Sequence, residues 1–137
     1  MKGVFLCSQA AARIMIPQGS GSIINLASIS GHAVNIPQKQ AVYNASKAGV
    51  AMLTKSMALE WIEHGIRVNS ISPGYMKTEI PRETTSSERE KAILNSQCVK
   101  RFGVPQDLLG VILFLASEES DFMSGQSLSM DGGDILL

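Results

Sequence analysis

Tyr43 and Lys47 stand four residues apart in the segment Tyr43-Asn44-Ala45-Ser46-Lys47. On a helix that spacing puts both on one face, one turn apart. A free tyrosine has a pKa of about 10 and exchanges protons poorly near neutrality. A lysine ammonium held beside it favours the phenolate and lowers that pKa. The pair therefore suits a general acid/base that works on an alcohol or a carbonyl oxygen.

The elements around the pair follow from periodicity. Val4, Cys7, Ala11 and Met15 recur at helical spacing and predict a helix from about Gly3 to Ile16, stopped by Pro17 to Gly21. Ser22 to Ala27 holds Ile23, Ile24 and Leu26, a short apolar run suited to a buried parallel strand. Ser28-Ile29-Ser30-Gly31 follows its end, and His32 to Gln40 reads as a loop. A second helix, about Val42 to Glu63, carries Tyr43 and Lys47 in its first turns, with Gly65 placed to cap it. Ile66 to Ser72 reads as another buried strand, broken by Pro73-Gly74.

Ser87-Glu88-Arg89-Glu90 fits a capping box that opens a short helix to about Asn95. Pro105 fits a first helical position, and Leu108, Val111, Ile112 and Leu115 form a core-facing stripe. Ser124-Gly125 turns into a last strand, Gln126 to Met130. Strands alternating with helices predict an α/β fold: a partial Rossmann-like, doubly wound parallel sheet of about three strands. Ligands of such sheets bind at the carboxyl ends of the strands, where Ser28, Tyr43 and Pro73-Gly74 converge.

Composition narrows the function classes. The 137 residues suffice for one domain, and 45% hydrophobic with 18% charged residues describes a globular chain. Twelve Lys and Arg balance twelve Asp and Glu, with no basic run, which argues against nucleic acid as a partner. Cys7 and Cys98 are far apart and read as free thiols of a reducing compartment. His32 and His64 form no metal-ligand pattern with them, so no metal is expected. The apolar run Met1 to Cys7 is too short for a signal core, and no stretch approaches a membrane span. A cytoplasmic location without membrane contact is the expectation.

The ordered motifs resemble the short-chain dehydrogenase/reductase family. Tyr43 and Lys47 match its Tyr-x-x-x-Lys signature, and Asn25-Leu26-Ala27-Ser28 is similar to the strand end that carries its catalytic serine. Pro73-Gly74-Tyr75-Met76-Lys77-Thr78 resembles its Pro-Gly-x-x-x-Thr cofactor segment. Arg101 to Asp107, and Gly125 through Asp131-Gly132-Gly133, resemble its C-terminal signatures. Family members are roughly twice as long, and their first half carries a glycine-rich turn that cradles the dinucleotide pyrophosphate. No such turn occurs in this sequence. Residues 1–137 are thus expected to form a single C-terminal portion of the family's domain, with the N-terminal dinucleotide-binding half absent.

The resemblance implies roles. Tyr43 is the expected acid/base. Lys47 assists it and hydrogen-bonds the nicotinamide ribose of NAD or NADP. Ser28 holds the substrate oxygen and stabilises charge developing there. Ser30 is the rival, because the commonest family spacing back from Tyr43 lands on it; Ser28 is preferred because it ends the strand. Pro73, Gly74 and Thr78 are the expected nicotinamide contacts, and Glu79 to Asn95 the substrate lid. Asn69, by contrast, is read as a strand residue bonding neighbouring backbone. The loop His32 to Gln40 is similar to that of polyol and sugar dehydrogenases, which implies a small-molecule alcohol or ketone substrate: a sugar alcohol, a ketose or a sugar acid. The first two helices resemble the family's main dimer pair, implying a homo-oligomer, dimer or tetramer. The alternative reading is a catalytically incomplete fragment that serves as an interaction or structural module.

Overall fold

In a computed structural model, which describes residues 1–34, 38–77 and 87–136, the chain alternates helices and strands. The helices are α1 (Lys2–Gln18), α2 (Ala41–Trp61), α3 (Ser87–Ser96) and α4 (Leu109–Ala116). The strands are β1 (Gly21–Leu26), β2 (Ile66–Pro73) and β3 (Ser127–Met130). They form one parallel sheet in the order β1-β2-β3, with Gly21 opposite Ile66 and Ser70 opposite Ser127. The partial doubly wound α/β architecture expected from the sequence is therefore present.

Side-chain alternation along β2 assigns the layers. Ile66 and Val68 join Ile23, Ala12, Met57 and Ala58 in a buried cluster between the sheet and α1 with α2. Leu53 and Trp61 pack against its rim. Arg67 faces the other way, where its guanidinium donates to the Leu115 and Ser117 carbonyls at the end of α4. Ser22 of β1 donates to the same Leu115 carbonyl at 2.6 Å. Within the α1/α2 layer a polar chain is fully used: Ser8 donates to Asn25, Asn25 to Thr54, and Thr54 to the Val50 carbonyl. Each member of this chain has a partner, as its desolvation requires.

Three boundaries differ from the sequence reading. Pro17 does not stop α1 but lies inside its last turn, and the helix ends at Gly19 in the left-handed conformation, φ 66°. A proline there forfeits one helical hydrogen bond, whereas Gly19 reverses the chain and donates to Ile16. Pro105 opens a 3-10 turn, Pro105–Leu108, and α4 begins only at Leu109. The end of α2 tightens into a 3-10 turn over Ile62–His64 before Gly65, φ 72°, caps it. The proposed capping box rests partly on Ser87, whose side chain lies outside the described ones.

Candidate active site

The site grows out of the carboxyl end of β1. The strand stays paired one residue past its last member, Ala27 donating to Ile71 at 2.8 Å. Ser28 then adopts an extended conformation and caps the 3-10 turn Ile29–Gly31, its Oγ accepting from the Ser30 amide at 3.2 Å. Ile29 is buried and anchors this turn from below. Gly31 is pressed against α2: a Cβ on it would lie 2.7 Å from the Lys47 carbonyl carbon and 2.8 Å from the Ala48 nitrogen. The glycine is required by this approach, since any side chain would push the turn off the helix.

α2 starts at Gln40, whose carbonyl accepts from the Asn44 amide. The Gln40 side chain does not cap the helix. It donates instead to Ser30 Oγ at 3.2 Å, tying the helix start to the serine turn. Tyr43 and Lys47 face the same way, as their spacing requires, with Nζ 5.8 Å from the tyrosine ring centroid. That distance is within cation–π range. Nζ also donates to the Leu26 carbonyl, the last of β1, at 3.0 Å. Tyr43 is 45% exposed and Leu26 54% exposed, so solvent reaches the pair beside the outer edge of β1.

Both candidate serines thus lie in one turn against the same helix. Both are buried and both do turn work. Ser28 accepts one hydrogen bond, and among the described residues its own proton has no acceptor. Pro73 and Gly74 end the neighbouring strand β2, one strand further from Lys47. The space a Gly74 side chain would fill belongs to Asp131, whose Cα lies 2.7 Å from that point. Close packing of the β2 and β3 ends therefore demands this glycine, independently of any ligand. Thr78 and the first part of the expected lid lie outside the described residues, as do residues 35–37 of the preceding loop. Asn69 bonds backbone on both sides, to Met123 and from Gln126, as its strand position suggested.

Sequence reasoning missed three groups. Arg67 is a nearly buried cation that gathers the chain after α4, with Ser120 Oγ at 2.7 Å and Asp121 at 3.4 Å. Arg101 grips Asp107 with two hydrogen bonds of 2.6 and 2.9 Å, and the same carboxylate accepts from the Val104 amide. These bonds hold Asp107 down at about 2. His32 reaches across to Ser72 and Ser127. None carries a periodic signal: the partners of Arg67 and His32 are remote in sequence, and the six-residue spacing of Arg101 and Asp107 fits neither helix nor strand.

A hollow of about 330 Å³ opens between the end of β2, the end of β3 and the Arg101–Asp107 pair, lined by Tyr75, Met76, Met130 and Asp131. A second, of about 500 Å³, lies at the other end of the sheet beside Arg67. Neither is lined by Ser28, Tyr43 or Lys47, which stand on the open face beside β1. Among the described residues no group of three His, Cys, Asp or Glu could hold a metal, and no helix is long and apolar enough to cross a membrane.

The parallel α/β sheet and the Tyr-x-x-x-Lys helix beside a serine-bearing strand end match the family arrangement expected from the sequence. The family model described as enoyl-(acyl carrier protein) reductase matches residues 1–134. The chain belongs to the short-chain dehydrogenase/reductase family. Sorbose reductase of Candida albicans is 43% identical over 97% of this chain and 47% of its own length. Galactitol 2-dehydrogenase of Rhizobium johnstonii is 42% identical over 97% of this chain and 52% of its own length. A gluconate 5-dehydrogenase of Burkholderia cenocepacia, solved with NADP and tartrate, superposes with a TM-score of 0.93 at 38% identity, covering 100% of this chain and 53% of that one. The chain spans about half the length of the curated relatives it matches.

Proposed function

We propose that this chain is the catalytic portion of an NAD(P)-dependent oxidoreductase that interconverts a secondary alcohol and a ketone on a hydroxylated small molecule such as a sugar alcohol, a ketose or a sugar acid. One observation carries the reading: Lys47 Nζ sits between the Leu26 carbonyl and the Tyr43 ring, beside the turn that bears Ser28. The phenol and the ammonium share one solvent-reached face, the placement that proton exchange with an alcohol or carbonyl oxygen needs. Tyr43 Oη exchanges the proton with the substrate oxygen. Ser28 holds that oxygen and stabilises its developing charge. Lys47, with Tyr43, Pro73, Gly74 and Thr78, would hold the nicotinamide end of the cofactor.

The exposed ammonium and phenol suit ribose hydroxyls, so the residues present fit that end. A bound nicotinamide dinucleotide supplies or takes the hydride. The names of the relatives, which act on sorbose, galactitol and gluconate, support the substrate class. Exposed Leu6 and Ile14 on α1, and Met52 and Leu59 on α2, support a homo-oligomer built on these helices.

Tyr43→Phe should abolish turnover with NADH or NADPH and a ketose while leaving the melting temperature unchanged. Unaltered turnover would reject the tyrosine's role. A second reading is a catalytically incomplete module that acts through its surfaces. It is supported by the exposed apolar residues of α1 and α2, which offer a surface for a partner. Titration of NADH and NADPH against the purified chain separates the two: saturable binding excludes the inert module.

A further inference from the structure

We propose that His32 is a positioning residue that fixes the serine-bearing turn to β2 and β3. His32 ends the 3-10 turn begun by Ser28, its amide donating to Ile29. Its Nε2 lies 2.9 Å from Ser72 Oγ and 3.2 Å from Ser127 Oγ, and these two hydroxyls are 2.9 Å apart. The three atoms close a triangle. Ser72 precedes Pro73-Gly74 on β2, and Ser127 opens β3. The imidazole therefore joins the segment expected to hold the substrate oxygen to the strand end expected to meet the nicotinamide.

The geometry explains why a side chain is needed. Among the described residues, the turn's backbone bonds run within it, Gly31 to Ser28 and His32 and Ala33 to Ile29, while Ala27 just before it still pairs with Ile71 of β2. Gln40 and Gly31 fix it against α2. Among the described residues, His32 is the side chain that carries it across to β2 and β3. Ser72 is fully buried, so its hydroxyl has no water to turn to and depends on the other two corners. A rigid ring with one nitrogen aimed at two hydroxyls removes the remaining freedom of the turn, and with it that of Ser28.

The significance for turnover rests on the proposed role of Ser28; the clamp itself does not, and the two are tested separately. Hydrogen exchange on the purified chain tests the clamp. His32→Ala should speed exchange of the Ser30, Gly31 and His32 amides about tenfold, the worth of one such hydrogen bond. Amides of β2 should be unaffected. His32→Gln, whose amide reaches the same hydroxyls, should restore protection. Ser72→Ala added to His32→Ala should speed exchange of these turn amides no further, because the His32–Ser72 contact is already gone and the remaining Ser72–Ser127 bond lies between the strands. Unchanged exchange in His32→Ala, or failure of His32→Gln to restore it, overturns the clamp whatever Tyr43→Phe does. In turnover assays in which Tyr43→Phe is inactive, His32→Ala should lower kcat about tenfold with the cofactor KM unchanged. An unchanged kcat there overturns the positioning role and leaves the assignment of Tyr43 standing.

Discussion

Gly31 and Lys47 touch backbone to backbone: a methyl group on the glycine would meet the lysine carbonyl carbon at 2.7 Å. The serine turn and the lysine-bearing turn of α2 are thus seated on each other without an intervening side chain. Gly31→Ala must push them apart, because the obstructing atoms are main chain and cannot rotate away. The expected loss of stability is roughly 1–3 kcal/mol, read from urea unfolding midpoints. Displacement of Ser28 from Tyr43 should lower turnover as well. Wild-type stability in this variant would contradict the close approach.

Much of this arrangement was legible in the sequence, for a physical reason. Tyr43 and Lys47 are linked by helical periodicity, and the strand through Ile23 and Ile24 by its apolar run, so local spacing sufficed. Gly65 was recognisable as a cap because a helix end and a glycine coincide. What stayed hidden depends on contacts distant along the chain. That the missing side chain of Gly74 makes room for Asp131, 57 positions on by sequence number, carried no local signal. His32 looked inert because its hydroxyl partners come from two later strands. Pro17 looked like a stop, yet the last turn of α1 tolerates it because Gly19 supplies the reversal.

Lys47 donates to Leu26 and overlies the tyrosine ring, so its removal separates structure from chemistry. Lys47→Met keeps the aliphatic stem and deletes the charge. The hydrogen bond from the ammonium to Leu26 is worth at most about 3 kcal/mol, so folding should survive. Turnover should fall by roughly a hundredfold or more, because the proton-transferring tyrosine loses its cationic neighbour. A variant with normal kcat would remove the lysine from the site.

Gly65 joins α2 to β2 with φ 72°, and its Cα faces the Gly19 carbonyl at the end of α1. Gly65→Ala meets two obstacles at once. The left-handed conformation costs a side-chain-bearing residue roughly 1–2 kcal/mol, and the new methyl strikes the Gly19 backbone. Gly19 also has positive φ, but open space surrounds its missing Cβ. Gly65→Ala should therefore destabilise clearly more than Gly19→Ala in parallel thermal melts. Equal losses would show that backbone conformation alone governs this junction.

Asp107 gives the chain a predictable response to acid. Its carboxylate is lowered from 3.8 to about 2, first by the hydrogen bonds from Arg101 and then by the Val104 amide. Arg101 is raised in turn by the same carboxylate. A carboxylate depressed in the folded state favours folding whenever it is ionised in both states, that is, above its unfolded value. The benefit shrinks as pH falls from 3.8 toward about 2, where the folded carboxylate also takes up its proton. Asp107→Asn cannot ionise and lacks this term at every pH. The stability gap between wild type and Asp107→Asn should therefore be constant near neutrality and narrow through that acid window, as followed by urea unfolding at stepped pH. Because the pair is at the surface, molar salt should shrink the gap at neutral pH. A gap that widened on acidification would mean that Arg101 does not stabilise the ionised carboxylate.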